Sequence, residues 1–441
     1  GNNPLAVYAY ESGQIPVMKF IIEKGASIDS ENAGRDTLLH MAVLKNDIST
    51  VKYLTEKKAA LDKKGSTGRT ALLMAADKGY LKIAEFLLQN GCSADAVDYS
   101  GKNIMHLFAP GKNNGKTISA FSGYGVDINK KDSYGITPIL AAINSKRWEN
   151  VQPLIDAGAE FKFVDNEEKT LLVKAIENKN SSLALYLIGK GIDVKKKNSS
   201  GRTALHAAAG LKGKDWDKII TLIIQRGENV NDTDNSGVSP AGIAIESENS
   251  SGFKILLDNG LDINLKERGT DPLVLYAYKR NAKSAFTELV KKGADTSLKD
   301  GAGNSILHLV AEKDDRTFYN TLAPLNPDLN IKNSAGKTPL FLAIEKGKLQ
   351  FAKMLLDQKG KIDLKARDGQ QMSIFHYLAS AKGGITLLSA IETDPQQVSG
   401  MDASGRTPLA LAVHANLVDN AAFFIKNGAD PNDTDWLGSK L

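Results

Sequence analysis

Residues 66–99 read STGRTALLMAADKGYLKIAEFLLQNGCSADAVDY. Gly68, after Ser66-Thr67, suits a turn that needs positive φ. Thr70 is a natural N-cap, its hydroxyl able to meet an orphan N–H of the turn that follows. The spacing predicts a short helix over Ala71–Ala76, in which Ala75 and Ala76 are small enough for close helix–helix approach. Asp77-Lys78-Gly79 breaks it. A second helix is predicted over Tyr80–Gln89, with Leu81, Ile83, Ala84, Leu87 and Leu88 at helical spacing. Gly91 falls at the position where a left-handed residue ends a helix. Cys92–Asp98 has no helical pattern and reads as an extended turn into the next unit.

Two helices of roughly ten residues bury little apolar surface by themselves, so such a unit needs neighbours. The chain supplies them. The opening phrase of the unit, Thr-Pro-Leu-x-x-Ala in its cleanest form, starts at Asn3, Thr37, Thr70, Asn103, Thr137, Thr170, Thr203, Ser239, Asp271, Ser305, Thr338, Ser373 and Thr407. Its intervals lie between 32 and 36 residues. A stop glycine follows the second helix at Gly25, Gly91, Gly125, Gly158, Gly191, Gly227, Gly260, Gly293 and Gly428. A turn glycine precedes the first helix at Gly34, Gly68, Gly101, Gly135, Gly201, Gly237, Gly303, Gly336 and Gly405. Length alone would predict about three domains. The period instead predicts one continuous all-α solenoid over residues 1–441, of about thirteen helix-turn-helix units with extended loop tips, the first and last incomplete.

Composition narrows the class further. A hydrophobic content of 42% suffices for a packed core. The net charge of +5 is small for 441 residues and does not point to nucleic acid. One cysteine, Cys92, excludes an intramolecular disulfide and leaves the redox compartment open. No apolar run approaches the length of a membrane span. The cytoplasm is slightly favoured; a periplasmic or secreted location follows if a signal peptide has been removed. Usage rich in Lys, Asn and Ile suggests a microbial protein.

The repeat resembles the ankyrin repeat, whose motif is Asp-x-x-Gly-x-Thr-Pro-Leu-His-x-Ala-Ala with a Leu-Leu-x-x-Gly-Ala-Asp ending. The matching residues are Gly201-Arg-Thr-Ala-Leu-His206, Gly336-Lys-Thr-Pro-Leu340, Asp402-Ala-Ser-Gly-Arg-Thr-Pro-Leu409 and Lys426-Asn-Gly-Ala-Asp-Pro-Asn432. The resemblance covers nearly the whole chain and implies a curved stack. Some units depart from it. Pro110-Gly111 opens a looser stretch to Thr117, the unit at Ser373 ends in Thr393-Asp-Pro-Gln-Gln397 without a stop glycine, and Tyr276 stands where a small Ala is expected. Asn3–Tyr10 parallels Asp271–Tyr278, so the chain is expected to begin inside a unit, while Asp430–Gly438 starts a further loop. Neither end reads as a polar cap, which array ends normally require.

Candidate chemistry reduces to structure. His40, His106, His206, His308 and His376 share the fourth place of the phrase, so they share one structural task; the resemblance implies that this histidine bridges neighbouring loops. Equivalent positions in successive units lie about 10 Å apart, too far to share a metal ion. His414 lies out of register and reads as surface. Gly111-Lys-Asn-Asn-Gly-Lys-Thr117 imitates a phosphate loop but has three residues where the motif needs four, with no strand before it. It reads as a lengthened, exposed turn. Cys92 holds a small-residue position and is expected to be buried. Asp314-Asp315 reads as a solvated turn, and Trp148 as packing at the start of a second helix. Lys190–Lys218 is rich in Lys and Arg and reads as a solvated face or, alternatively, a surface for an acidic protein partner. No catalytic set, cofactor or metal site is expected.

The resemblance places binding at the loop tips and inner helices. The tip candidates are Tyr99, Lys102, Tyr134, Ile136, Arg202, Asn235, Val238, Lys337 and Arg406, with Tyr99, Tyr134 and Arg202 foremost, because aromatics and Arg dominate interface energetics. The inter-helix turns add Asp77-Lys78, Asn144-Ser145, Glu246-Ser247, Glu312-Lys313 and Glu345-Lys346. The expected function is non-enzymatic recognition of a protein partner. Two alternatives stay open: the targeting part of a larger secreted effector or enzyme, and an array that oligomerises end to end through uncapped ends.

Overall fold

The computed structural model describes residues 4–358 and 360–432. The phrase start at Asn3 and the loop from residue 433 onward lie outside them. Contacts gather into two compact units, one of residues 1–166 and 170–193, the other of residues 167–169 and 194–441.

Each unit is a row of short antiparallel helix pairs. In the first, Leu38–Leu44 pairs with Ile48–Glu56, Ala71–Asp77 with Leu81–Gln89, and Ile104–Phe108 with Gly115–Ser122. The inner helix Ala71–Asp77 lies between its predecessor Leu38–Leu44 and its successor Ile104–Phe108. That sandwiching buries Leu72, Leu73 and Ala75 completely. A Leu so placed is stabilised by roughly 1.5–3 kcal/mol relative to exposure, which neither helix of a lone pair could collect. The second unit repeats the pattern with Ala204–Ala209, Pro240–Glu246, Leu273–Lys279, Ile306–Lys313, Pro339–Glu345, Ile374–Ala379 and Pro408–His414 as inner helices. Strand structure among the described residues is confined to Lys266–Glu267 paired with Asp271–Pro272 and three isolated bridges.

Local chemistry sets the boundaries. Thr70 Oγ1 accepts from Leu73 N–H at 3.3 Å, and Thr338 Oγ1 from Phe341 N–H at 3.3 Å. Pro138, Pro240, Pro339 and Pro408 take the first helical position, where no intrahelical N–H bond is lost. Gly91 stops the second helix at φ +89°, and Gly68 turns at φ +74°. At the second phrase the positive φ falls on Arg35 rather than on the expected Gly34.

The irregular units have a specific remedy. Helices Ile104–Phe108, Ala204–Ala209 and Ile374–Ala379 stop short and leave carbonyls without helical partners. A buried asparagine from the next repeat answers each time. Asn150 Nδ2 donates to the Ala109 and Gly111 carbonyls at 2.9 and 2.6 Å. Asn249 Nδ2 donates to Ala209 and Leu211 at 2.9 and 2.8 Å, and Asn420 Nδ2 to Leu378, Ala379 and Ala381 at 3.1, 3.0 and 3.1 Å. The stretch expected to stay a turn to Thr117 is shorter than that, because Gly115-Lys116-Thr117 is the first turn of the helix Gly115–Ser122. The unit at Ser373 closes with the four-residue helix Ile385–Leu388 and a separate turn, Pro395–Val398, whose Val398 is buried. Asp314-Asp315 is also more than a solvated turn: Asp315 caps Phe318 N–H at 3.4 Å, and Asp314 pairs with Arg316 at 2.9 Å.

Candidate interaction surface

A tip is rigid because its carboxylate or amide faces inward. Asp98 Oδ1 accepts from the N–H groups of Ser100 and Lys102 at 2.9 and 3.0 Å; Asp132 Oδ1 accepts from those of Tyr134 and Ile136, both at 2.9 Å. Asn198, Asp234, Asp300, Asn333, Asp368 and Asp402 make the same pair of bonds. This is the leading Asp of the repeat motif, and an Asp or Asn stands five residues before the capping residue in ten of the repeats.

The register histidines lock tip to helix. In His308, Nδ1 takes hydrogen bonds from Ser305 N–H and Oγ at 3.1 and 2.8 Å, and Nε2 bonds the Lys337 carbonyl of the next tip at 2.9 Å. His40, His106 and His376 reach the carbonyls of Arg69, Ile136 and Arg406 in the same way. In His40, His308 and His376, where a hydroxyl can donate to Nδ1, the network assigns the proton to Nε2 of a neutral ring. Burial holds all four rings below the usual imidazole range. His206 keeps its bond to Thr203 at 3.0 Å, but its Nε2 makes no close hydrogen bond, only a weak approach to the Val238 carbonyl, and burial pushes it down to about 4.

The eighth repeat has no histidine; Gly242 occupies its place. Glu267, from the following loop, is wholly buried and puts its carboxylate there instead. Oε2 accepts from Ser239 N–H at 3.1 Å, and Oε1 accepts from the Ser239 hydroxyl. A Cβ at Gly242 would overlap that carboxylate. Burial raises the Glu267 carboxyl above the usual range, against the opposing pull of the Ser239 bonds. A glycine in the histidine register with an acid 25 residues on was the available signal.

The tip candidates divide sharply. Tyr99 and Tyr134 are 66% and 79% exposed. Lys102 and Ile136 are half-buried. Arg202 is exposed but bonded to the buried Asp234 at 2.9 Å. Asn235 Nδ2 donates to the Ser199 carbonyl at 3.0 Å. Lys337 pairs with Glu345 at 2.8 Å, and Arg406 with Asp402 at 2.7 Å. Val238, expected at the surface, is buried: its side chain turns under the tip. Of the inter-helix candidates, Asp77 pairs with Arg69 at 2.6 Å, Glu246 with Arg280 at 3.3 Å, and Glu312 with Lys346 at 3.3 Å. Tyr276 is buried, donates its hydroxyl to Glu246 and lies under the Arg280 guanidinium at 4.5 Å, so the large residue in an alanine place packs on the preceding repeat.

Other singled-out groups are structural or paired. Cys92 is buried, and burial pushes its thiol up to about 12, far from a reactive thiolate. His414 is exposed at the end of its helix, and Trp148 is half-buried in the turn Trp148–Asn150. In the basic run, Lys190 pairs with Asp156, Lys196 with Glu168 and Lys197 with Asp232. No group of His, Cys, Asp and Glu among the described residues has metal-binding geometry, and no described helix is long and apolar enough to cross a membrane.

Comparison with known proteins places this geometry. A family model for ankyrin repeats in three copies matches residues 5–98, 104–198, 172–267 and 273–368, and a single ankyrin repeat model matches residues 404–436. The chain is similar to the transient receptor potential cation channel subfamily A member 1 homolog of Caenorhabditis elegans, 30% identical over 118 residues, covering 27% of this chain and 10% of the relative. It is also similar to the B-cell lymphoma 3 protein homolog of Mus musculus, 31% identical over 120 residues, covering 26% of this chain and 27% of the relative. The matches thus span about a quarter or less of those relatives' own length. Among solved structures, the crystal structure of the ankyrin repeat domain of Bcl-3 is 24% identical with a TM-score of 0.40, covering 50% of this chain and 98% of that one.

Proposed function

The chain belongs to the ankyrin repeat family, and on that premise we propose that it is a non-enzymatic scaffold that binds a partner protein through its loop tips and the adjoining ends of its inner helices. Ankyrin repeats generally mediate protein–protein interaction. The observation that carries the reading here is the pair Tyr99 and Tyr134: large aromatic side chains exposed on tips whose backbone is already fixed by Asp98 and Asp132. Exposed aromatics on a pre-ordered backbone contribute contact area while losing little entropy on binding.

The test is an affinity pull-down with the wild-type chain against a Tyr99→Ala/Tyr134→Ala/Arg202→Ala variant of matching circular dichroism. The variant is expected to lose the principal captured protein. An identical catch from both would refute this choice of surface.

A further inference from the structure

The tips of three successive repeats around Tyr99 form one continuous edge. The Tyr99 ring lies directly on the Gly68 turn, where a Cβ would overlap it. One repeat further on, Ser133 N–H donates to the Ser100 carbonyl at 2.9 Å, which seats the Tyr134 tip against the Tyr99 tip.

This edge is cationic on its outer side. Lys64, Lys130 and Lys131 are exposed and Lys102 is half-exposed. None of the four makes an ion pair among the described residues, whereas Lys63 and Arg69 beside them are committed to Glu31 and Asp77. The Lys64 ammonium sits 5.8 Å from the centroid of the Tyr99 ring. The acids that would neutralise the lysines are turned away: Asp98 and Asp132 are buried and bonded to backbone N–H groups. The exposed acids of the same loops, Asp62, Asp95 and Asp127, accept from the N–H groups of Ser93, Asp127 and Asn129.

We propose that this edge, from Lys64 through Tyr99 and Lys102 to Lys131 and Tyr134, is the docking strip for an extended acidic polypeptide segment. The proposal rests on the scaffold reading above and names the chemistry of its partner. Unpaired cations call for carboxylates, and two exposed rings call for apolar side chains between them. An extended peptide advances about 3.3 Å per residue, so every third residue meets a new tip at the roughly 10 Å repeat spacing. Stacked nucleotides want rings at closer intervals than two tyrosines on separate tips provide.

The probe is a fluorescein-labelled 18-residue peptide with the repeating sequence Glu-Glu-Leu, titrated with the full chain and followed by anisotropy. Saturable binding that weakens with added salt is expected. Lys64→Glu/Lys131→Glu should weaken it about tenfold or more and Tyr99→Ala/Tyr134→Ala about fivefold. Lys212→Glu/Lys218→Glu, the same charge change elsewhere, should leave it unaltered. Absence of saturable binding, equal loss in the control variant, no loss in either strip variant, or tighter binding of an 18-nucleotide single-stranded DNA would each overturn the proposal. If the peptide fails while the triple-alanine variant still loses its captured protein, the acidic chemistry is wrong and the scaffold reading stands.

Discussion

Two repeat junctions do the same work with opposite chemistry. At Ser305 a neutral histidine accepts from the capping residue and donates to the next tip through the Lys337 carbonyl. At Ser239 the histidine place is Gly242, and an acid from the next loop, Glu267, accepts from the same backbone N–H and hydroxyl directly. Both arrangements satisfy a buried N-cap and tie one repeat to the next. The first depends on a ring that must stay unprotonated. The second depends on a carboxyl forced into a site that disfavours its charge. The periodic fold therefore constrains which groups must be satisfied and leaves open which side chain satisfies them.

Removing the acid should have the largest effect. Glu267→Ala strips the acceptor from a buried N–H and a buried hydroxyl and leaves a void against Gly242, at a cost of about 3 kcal/mol. His308→Ala removes one cap bond and one inter-loop bond and should cost about 2 kcal/mol. An array need not unfold in one step, so local measurement is preferable to a melting point. Native-state hydrogen exchange at the Ser239 and Ser305 amides reads each junction separately. Protection at Ser239 that survives Glu267→Ala would show that the carboxylate is incidental.

Much of this was legible in the sequence, and the limits are physical. Thr70, Gly68 and Gly91 declare a cap, a turn and a stop because each acts on its own neighbours, so the repeat could be read from one stretch. Glu267 could not be read that way. A glutamate in a loop defaults to a solvated face, and its burial follows from the side chain missing at Gly242, on another helix. Asn150, Asn249 and Asn420 are likewise explained only by helices that end early one repeat before them. The surface candidates show the same division. Tyr99 and Tyr134 stand out because their rings stay largely exposed on tips whose own polar groups are already bonded. Arg202, Lys337 and Arg406 stand beside Asp234, Glu345 and Asp402, and spacing alone did not reveal that these charges are already spent.

Acidity should separate the two junctions in sign. Burial holds His308 below the unfolded imidazole value of about 6.5, so below that pH the unfolded chain binds the extra proton and the Ser305 junction weakens as pH falls toward the folded value. Glu267 is raised above the unfolded value of about 4.3, so between the two values the folded chain holds the extra proton and the Ser239 junction weakens as pH rises through that window. Each slope is at most about 1.4 kcal/mol per pH unit. Opening free energies from exchange at pH 4.5, 5.5 and 6.5 should therefore trend upward at Ser305 and downward at Ser239. Parallel trends would mean that one of the two groups is not in the protonation state its contacts imply.

The smallest effect concerns His206, which belongs to the histidine class but makes only half of its bonds. Its Nδ1 meets Thr203, while its Nε2 is buried with no close hydrogen bond and only a weak approach to the Val238 carbonyl. Beside that cap lies Glu228, buried where the other repeats carry a small or aliphatic residue after the stop glycine, and burial raises its carboxyl in turn. A weakly paired N–H in a dry site carries a poorly compensated desolvation cost, so deleting the ring recovers part of what the lost cap bond gives up. His206→Ala should accordingly destabilise its junction by about 1 kcal/mol less than His308→Ala does, read at the Thr203 and Ser305 amides. Equal losses would mean that the fifth ring finds a partner in solution, and that the histidine junctions are a more uniform set than their contacts indicate.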